Sequence, residues 1–229
     1  MRNKSENIKA LRAARVGVFA ALYVVLSLIP ISMFIGAPSF LALNLITTPV
    51  IAIWLSPLEA FLSSLFGGVI ALYMAPFQAM FGPFTILLPI SGSTFGSLAY
   101  HKGKIGAFMA MLFLATAISA YLVKNFPFPY FVAPHLIAGL VALSTSFKKM
   151  SPLSVKLPLF AFVSTMCEQG MMMILAVYLI GLPWQAFVGI LPLMVYERIV
   201  GTVGATIVIV SLMKVIPKHF SRGANHKTS

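Results

Sequence analysis

"GILPLMVYERIVGTVGATIVIVSLMKVIP", residues 189–217, decides the class of fold. Between Gly189 and Val215 it carries three charges, Glu197, Arg198 and Lys214, and is otherwise dominated by aliphatic residues. About 20 such residues cross a bilayer as a helix, so 190–213 reads as a membrane span. Glu197 and Arg198 are its anomaly: two opposite charges, side by side, in a helix made for lipid.

The rest of the chain has the same character. Of 229 residues, 60% are hydrophobic and 9% charged, where soluble domains carry about 25% charged residues. Mean hydropathy is +0.99. Eight candidate spans follow: 14–35, 39–55, 57–76, 81–100, 105–123, 129–147, 157–180 and 190–213. The expected fold is an all-α, polytopic membrane helical bundle of about eight spans, or six if two neighbours form a re-entrant pair. A polar segment at 1–12 and a basic tail at 216–229 flank one transmembrane domain, 13–215. The basic start and apolar run of residues 1–35 look like a signal peptide. The run is too long for one and lacks a cleavage pattern, so it reads as a retained helix.

Charge orients this bundle. The 16 Lys and Arg face only four acids, Glu6, Glu59, Glu168 and Glu197. With eight spans and a cytoplasmic N-terminus, the basic residues at both termini and at 102–104 and 148–156 fall inside. Only Lys124 falls outside, and Arg198 lies within a span. That asymmetry follows the positive-inside rule and places both termini in the cytoplasm, in a multi-pass protein of the cell membrane. It also explains a net charge of +12 without a nucleic-acid partner. The bilayer itself is the expected surrounding.

The chemistry motifs are few. There is no G-x-x-x-x-G-K-[ST], H-E-x-x-H or G-x-S-x-G, so neither ATP hydrolysis nor a familiar hydrolase is encoded. The single Cys167 excludes an intrachain disulfide. No cofactor and no metal site is expected, and Met171–Met173 reads as adaptable packing. Polar residues inside spans are the candidates for function, because each ionisable group there costs roughly 2.5–3.5 kcal/mol on insertion scales. At a 1.5 Å rise, Arg198 lies roughly 24 Å from Lys214, in the outer third of the bilayer, and Glu168 roughly 18 Å from Lys156. A Glu168–Arg198 ion pair could tie the last two helices together. Alternatively, Arg198 or Glu197 could meet a charged or polar ligand. Neighbours on a helix point about 100° apart, so one could pair internally while the other faces a pocket.

Ser164, Thr165, Glu168 and Gln169 form a polar stripe that lines a cavity or contacts a helix. Ser91, Ser93 and Thr94 lie between Pro89 and Gly96, where a broken helix could line a pocket. His135 and Trp184 stand near outer ends, the former interfacial or ligand-contacting, the latter among outer aromatics including Phe77, Phe81, Phe126, Phe128 and Tyr130. Those rings could stack on a flat ligand or form an interfacial belt. Asn44 and Gln78 are weaker candidates of the same kind. On the first helix, Ala10 and Ala14, and Ala13, Gly17 and Ala21, recur every four residues. Such a stripe admits a close helix, either a partner's or the protein's own.

Three stretches together carry a family resemblance. They are the basic N-terminus running into "RVGVFAALYVVLSLIPI", then "TTPVIAIWLSPLEAFLSSLFGGVIALY", and "GILPLMVYERIVGTVGATIVIVSLMKVIP". "GPFTILLPISGSTFGSLAYHKGK" adds to them. The chain resembles the substrate-binding S-component of energy-coupling factor transporters. The resemblance implies a non-enzymatic subunit that captures a vitamin or similar small-molecule ligand in a pocket near the outer face. It further implies docking through the alanine-rich first helix onto a membrane T-component driven by two cytoplasmic ATPase subunits. That family usually has six helices, so 105–123 and 129–147 read as an inserted hairpin. Two other classes compete: a proton-linked secondary transporter using Glu168, and an intramembrane enzyme using Glu168, Cys167 or His135.

Overall fold

The computed structural model describes residues 4–33, 40–147 and 152–215. Among them are eight α-helices: α1 (Lys4–Ser27), α2 (Asn44–Trp54), α3 (Pro57–Met74), α4 (Leu87–His101), α5 (Gly103–Asn125), α6 (Ala133–Phe147), α7 (Leu153–Leu175) and α8 (Trp184–Val215). Five segments are long and apolar enough to cross a membrane: Ile8–Ser27, Pro57–Met74, Gly103–Asn125, Leu153–Ile180 and Trp184–Val215. The chain is thus a helical bundle of membrane type. Helices α2, α4 and α6, of 11, 15 and 15 residues, are shorter. At a 1.5 Å rise they reach roughly 16–22 Å of a core about 30 Å thick.

The shortfall in α2 has a local cause. Helix α1 stops at Ser27, and an antiparallel pair follows, β1 (Pro30–Met33) against β2 (Phe40–Ala42). Proline lacks an N–H and pushes the residue before it out of the helical region. Pro30 therefore ends the helical course that the sequence extends to residue 35. The expected span 39–55 is likewise helical only from Asn44, and 81–100 begins with a 3₁₀ segment, Gly82–Ile86. Residues 34–39 lie outside the described set. Helix α1 starts at Lys4, within the segment 1–12 set apart as polar. The basic tail 216–229 lies outside the described residues.

Local sequence fixes the other ends. Pro57 opens α3, and Glu59 accepts the backbone N–H of Ser56 at 3.1 Å and its hydroxyl at 2.7 Å, a reciprocal cap. Arg12 on α1 reaches the same carboxylate at 3.7 Å. Gly103, at φ +54°, makes the abrupt turn from α4 into α5. Gly181, at φ +76°, ends a π-helical turn (Ala176–Ile180) that continues α7. Both conformations are left-handed and suit glycine.

Helix α7 occupies the centre and packs against α2, α4, α5, α6 and α8. Its seam with α4 is closely packed. A side chain on Gly92 would lie 2.6 Å from Thr48 Cγ2 and 2.8 Å from Glu168 Cβ; one on Gly96 would lie 2.6 Å from Ser164 Cβ. Gly92 and Gly96 thus form a G-x-x-x-G contact that lets α4 slot between α2 and α7. Hydroxyls bind the layers. Ser164 donates to Gly92 O (3.0 Å), Ser97 to Leu55 O (2.6 Å) and Ser64 to Ser93 Oγ (2.6 Å). Helix α8 closes on α2 and α7 through Gly201 and Gly204, which abut Leu45, Thr165 and Ile46.

Helix α1 packs one face on α3 and α2, burying Val16, Phe19, Ala20, Tyr23 and Ser27. Ala10, Ala13, Ala14, Gly17 and Ala21 lie to one side of that face, all exposed. A side chain on Gly17 would meet nothing within 4 Å. The small-residue stripe is therefore not used in packing within the described chain.

Candidate functional site

The C-terminal end of α1, the N-terminal end of α2, the α3–α4 connection, the upper half of α7 and the first half of α8 enclose a cavity of about 310 Å³. It lies at the end of the bundle away from Arg12, Glu59 and the Gly103 turn. Side chains facing it include Tyr23, Asn44, Gln78, Phe81, Phe131, Glu168, Gln169, Met172, Met173, Phe187, Met194, Glu197 and Arg198; Ala42 of β2 also borders it. Most of its wall is apolar, and its charges come from α7 and α8.

The charged group is built as follows. Glu197 and Arg198 are 9% and 6% exposed, so neither can be left to water. Arg198 Nη2 lies 3.2 Å from Glu197 Oε2, and Nη1 donates to the carbonyl of Thr165 at 3.0 Å. The ion pair expected between Glu168 and Arg198 is absent among the described residues. Arg198 is paired instead with its own chain neighbour. The 100° between their Cβ directions is overcome by two long side chains folding toward each other. The pairing neutralises both charges in surroundings where an isolated one would cost several kcal/mol. Arg198 links α8 to α7 through the Thr165 carbonyl, not through Glu168.

Glu168 is left differently. It meets Thr48 over Gly92, yet neither Glu168 Oε2 nor Thr48 Oγ1 has a hydrogen-bond partner among the described residues. Gln169, 3% exposed, has an equally unpartnered Oε1. Opposite them, Asn44 Nδ2 has three acceptors in reach of its two N–H groups, Gln78 Oε1 (2.8 Å), Ser27 Oγ (3.1 Å) and the Tyr23 hydroxyl (3.2 Å), and Gln78 Nε2 donates to the Ser27 carbonyl. This network fastens the α3–α4 connection to α1 and α2 along one wall.

The structure therefore brings Glu168, Gln169, Glu197 and Arg198 together with the weaker candidates Asn44 and Gln78, and leaves Ser91, Ser93, Thr94, His135 and Trp184 elsewhere. Ser91, Ser93 and Thr94 belong to an unbroken α4, because Gly92 and Gly96 serve helix packing and do not break the helix. Ser91 Oγ donates to Leu88 O (2.9 Å), and Ser93 Oγ to Pro89 O (2.7 Å), the usual way a helix absorbs a hydroxyl. None of the three borders the cavity. His135 is fully buried on α6 beside Phe131, which stands between it and the cavity. Trp184 is 36% exposed at the start of α8 and does not reach the cavity. Among the outer aromatics only Phe81 faces it; Phe126 and Tyr130 point outward, each 72% exposed.

Sequence reasoning missed Tyr23, Phe131, Phe187 and the lining role of Met172 and Met173. Tyr121, Phe131 and Phe187 form one aromatic cluster, with ring centroids 4.8–5.4 Å apart. No spacing rule joins residues from three separated segments. Heptad-type reasoning on α7 could have found Met172, one turn above Glu168. Among the described residues, no three His, Cys, Asp or Glu come together as a metal site.

Fold and cavity define a helical membrane protein with a polar-floored pocket at one end. Compared with known proteins, the chain matches no family model, no curated protein and no solved structure.

Proposed function

We propose that this chain is the substrate-binding subunit of an energy-coupling factor importer, seated in the cell membrane with both termini cytoplasmic. It captures a small micronutrient from outside and does no chemistry on it. The observation that carries the reading is the cavity at the end of the bundle away from Arg12, Lys102 and Lys104. A pocket of about 310 Å³ suits a vitamin-sized ligand and lies at the lower edge of typical ligand sites. Support also comes from the exposed stripe of Ala10, Ala13, Ala14, Gly17 and Ala21, which offers a T-component helix a close approach. The ATP-driven step belongs to the partner ATPases.

The test is purification of the full chain from its native host in mild detergent. The expected result is a small molecule bound in near-unit ratio, and copurification of a second membrane protein with ATPase subunits. Absence of both refutes the proposal. A second reading rests on Glu168, whose unpartnered carboxylate oxygen would suit proton-coupled transport. Solute flux into liposomes holding this chain alone would favour that reading over the first.

A further inference from the structure

The cavity's unmet groups define what it takes. Three ionisable side chains of opposing sign border it: Glu168, Glu197 and Arg198. Arg198 is engaged by Glu197 and by the Thr165 carbonyl, so its charge is already met, although its Nε carries no hydrogen bond. Glu168 has no cation within ion-pair distance among the described residues, which leaves the wall one negative charge in excess when all three ionise. Its Oε2 and the adjacent Gln169 Oε1 are both acceptors without donors. A buried acceptor left unmatched keeps the full cost of its desolvation, and the cost is greater if it is charged. The same wall carries the rings of Tyr23, Phe81, Phe131 and Phe187, whose faces attract cations.

Resting on the assignment of this cavity as the ligand site, we infer that its ligand is a small, flat organic cation with at least two N–H donors. The donors meet Glu168 and Gln169 at the floor, and the ring lies among the aromatic and methionine side chains above. An anion is disfavoured: it would face Glu168 and find Arg198 already neutralised. A neutral molecule of the same shape would fill the volume but leave the carboxylate without a counter-charge.

Three isosteric probes separate these cases: benzamidine (cation), benzamide (neutral) and benzoate (anion). Each is titrated into the purified full chain in detergent by thermal shift and calorimetry. The wild type is expected to bind benzamidine at least tenfold more tightly than benzamide, with no binding of benzoate. Glu168→Gln keeps the shape and removes the charge. It is expected to weaken benzamidine at least tenfold and leave benzamide within about threefold. Tighter binding of benzoate or benzamide than benzamidine overturns the cation assignment while the cavity remains a ligand site. Benzamidine binding unchanged by Glu168→Gln overturns the role of Glu168. Failure of all three probes to bind overturns the inference. If the protein purified from its host also carries no ligand, the assignment of the cavity falls with it.

Discussion

The contact between Gly92 and its neighbours makes a sharp prediction when set against Gly17. In Gly92→Ala the new methyl lands 2.6 Å from Thr48 Cγ2, 2.8 Å from Glu168 Cβ and 3.1 Å from the Ser164 carbonyl. None of these can swing away freely. Thr48 is β-branched, Glu168 Cβ is fixed to its backbone, and the third atom is backbone. Helix α4 must therefore retreat from both α2 and α7, stretching the 3.0 Å hydrogen bond from Ser164 to Gly92 O. Overpacking of this kind costs about 1–3 kcal/mol, and a weakened hydrogen bond adds about 0.5–1.5 kcal/mol. Alanine's better helix propensity returns about 1 kcal/mol. The net expected loss is about 0.5–3.5 kcal/mol. Gly17→Ala has the same propensity gain and no contact within 4 Å, so it is expected to leave stability unchanged or raise it by up to about 1 kcal/mol. Cys167 supplies the assay: it is the single thiol and is fully buried, so a thiol-reactive fluorophore reports unfolding on heating in detergent. Gly92→Ala should melt below wild type, and Gly17→Ala at or above it. Gly92→Ala melting with wild type would refute the α4 seam, and Gly17→Ala melting clearly lower would place α1's stripe inside the fold.

Other substitutions test the site and its frame. Arg198→Ala strands the Glu197 carboxylate and should cost about 3–5 kcal/mol in the same melt. The double change Glu197→Gln with Arg198→Gln should recover most of it, and a double variant as unstable as the single would show that the pair is not the unit. Ser56→Ala should cost about 0.5–2 kcal/mol by removing one hydroxyl from the α3 cap. Arg12→Ala should stay within about 1 kcal/mol of wild type, because that side chain is 64% exposed; a larger loss from Arg12 would reverse that ranking. Gly17→Leu should leave ligand binding and melting as they are while abolishing copurification with a T-component. Retained copurification would remove α1 as the docking face.

The polar residues that the sequence singles out divide along a physical line. Glu168, Gln169, Glu197 and Arg198 were recognisable because an ionisable or amide group within an apolar span needs a reason, and depth along a helix follows from residue count alone. Asn44 and Gln78 stood out less, yet they form the network that fastens one wall. Ser91, Ser93 and Thr94 misled because Gly and Ser weaken a helix in water, whereas in a membrane bundle the same residues allow close packing and turn their hydroxyls onto the helix's own carbonyls. His135 misled because distance along the chain says nothing about which ring stands in front of it.

Sequence alone determined that this protein belongs to a membrane, since hydropathy summed over some 20 residues is a local property. It placed the breaks near Gly103 and Gly181, which act on their own backbone, but ran the first span past Pro30. It determined which residues are costly in lipid. Only the tertiary structure decided how those costs are met: that Arg198 turns to Glu197 and the Thr165 carbonyl, that Glu168 borders a cavity with its Oε2 unpartnered, and that the stripe on α1 remains exposed. Those outcomes depend on distances between residues tens of positions apart. Helix packing sets such distances, and no periodicity along the chain records them.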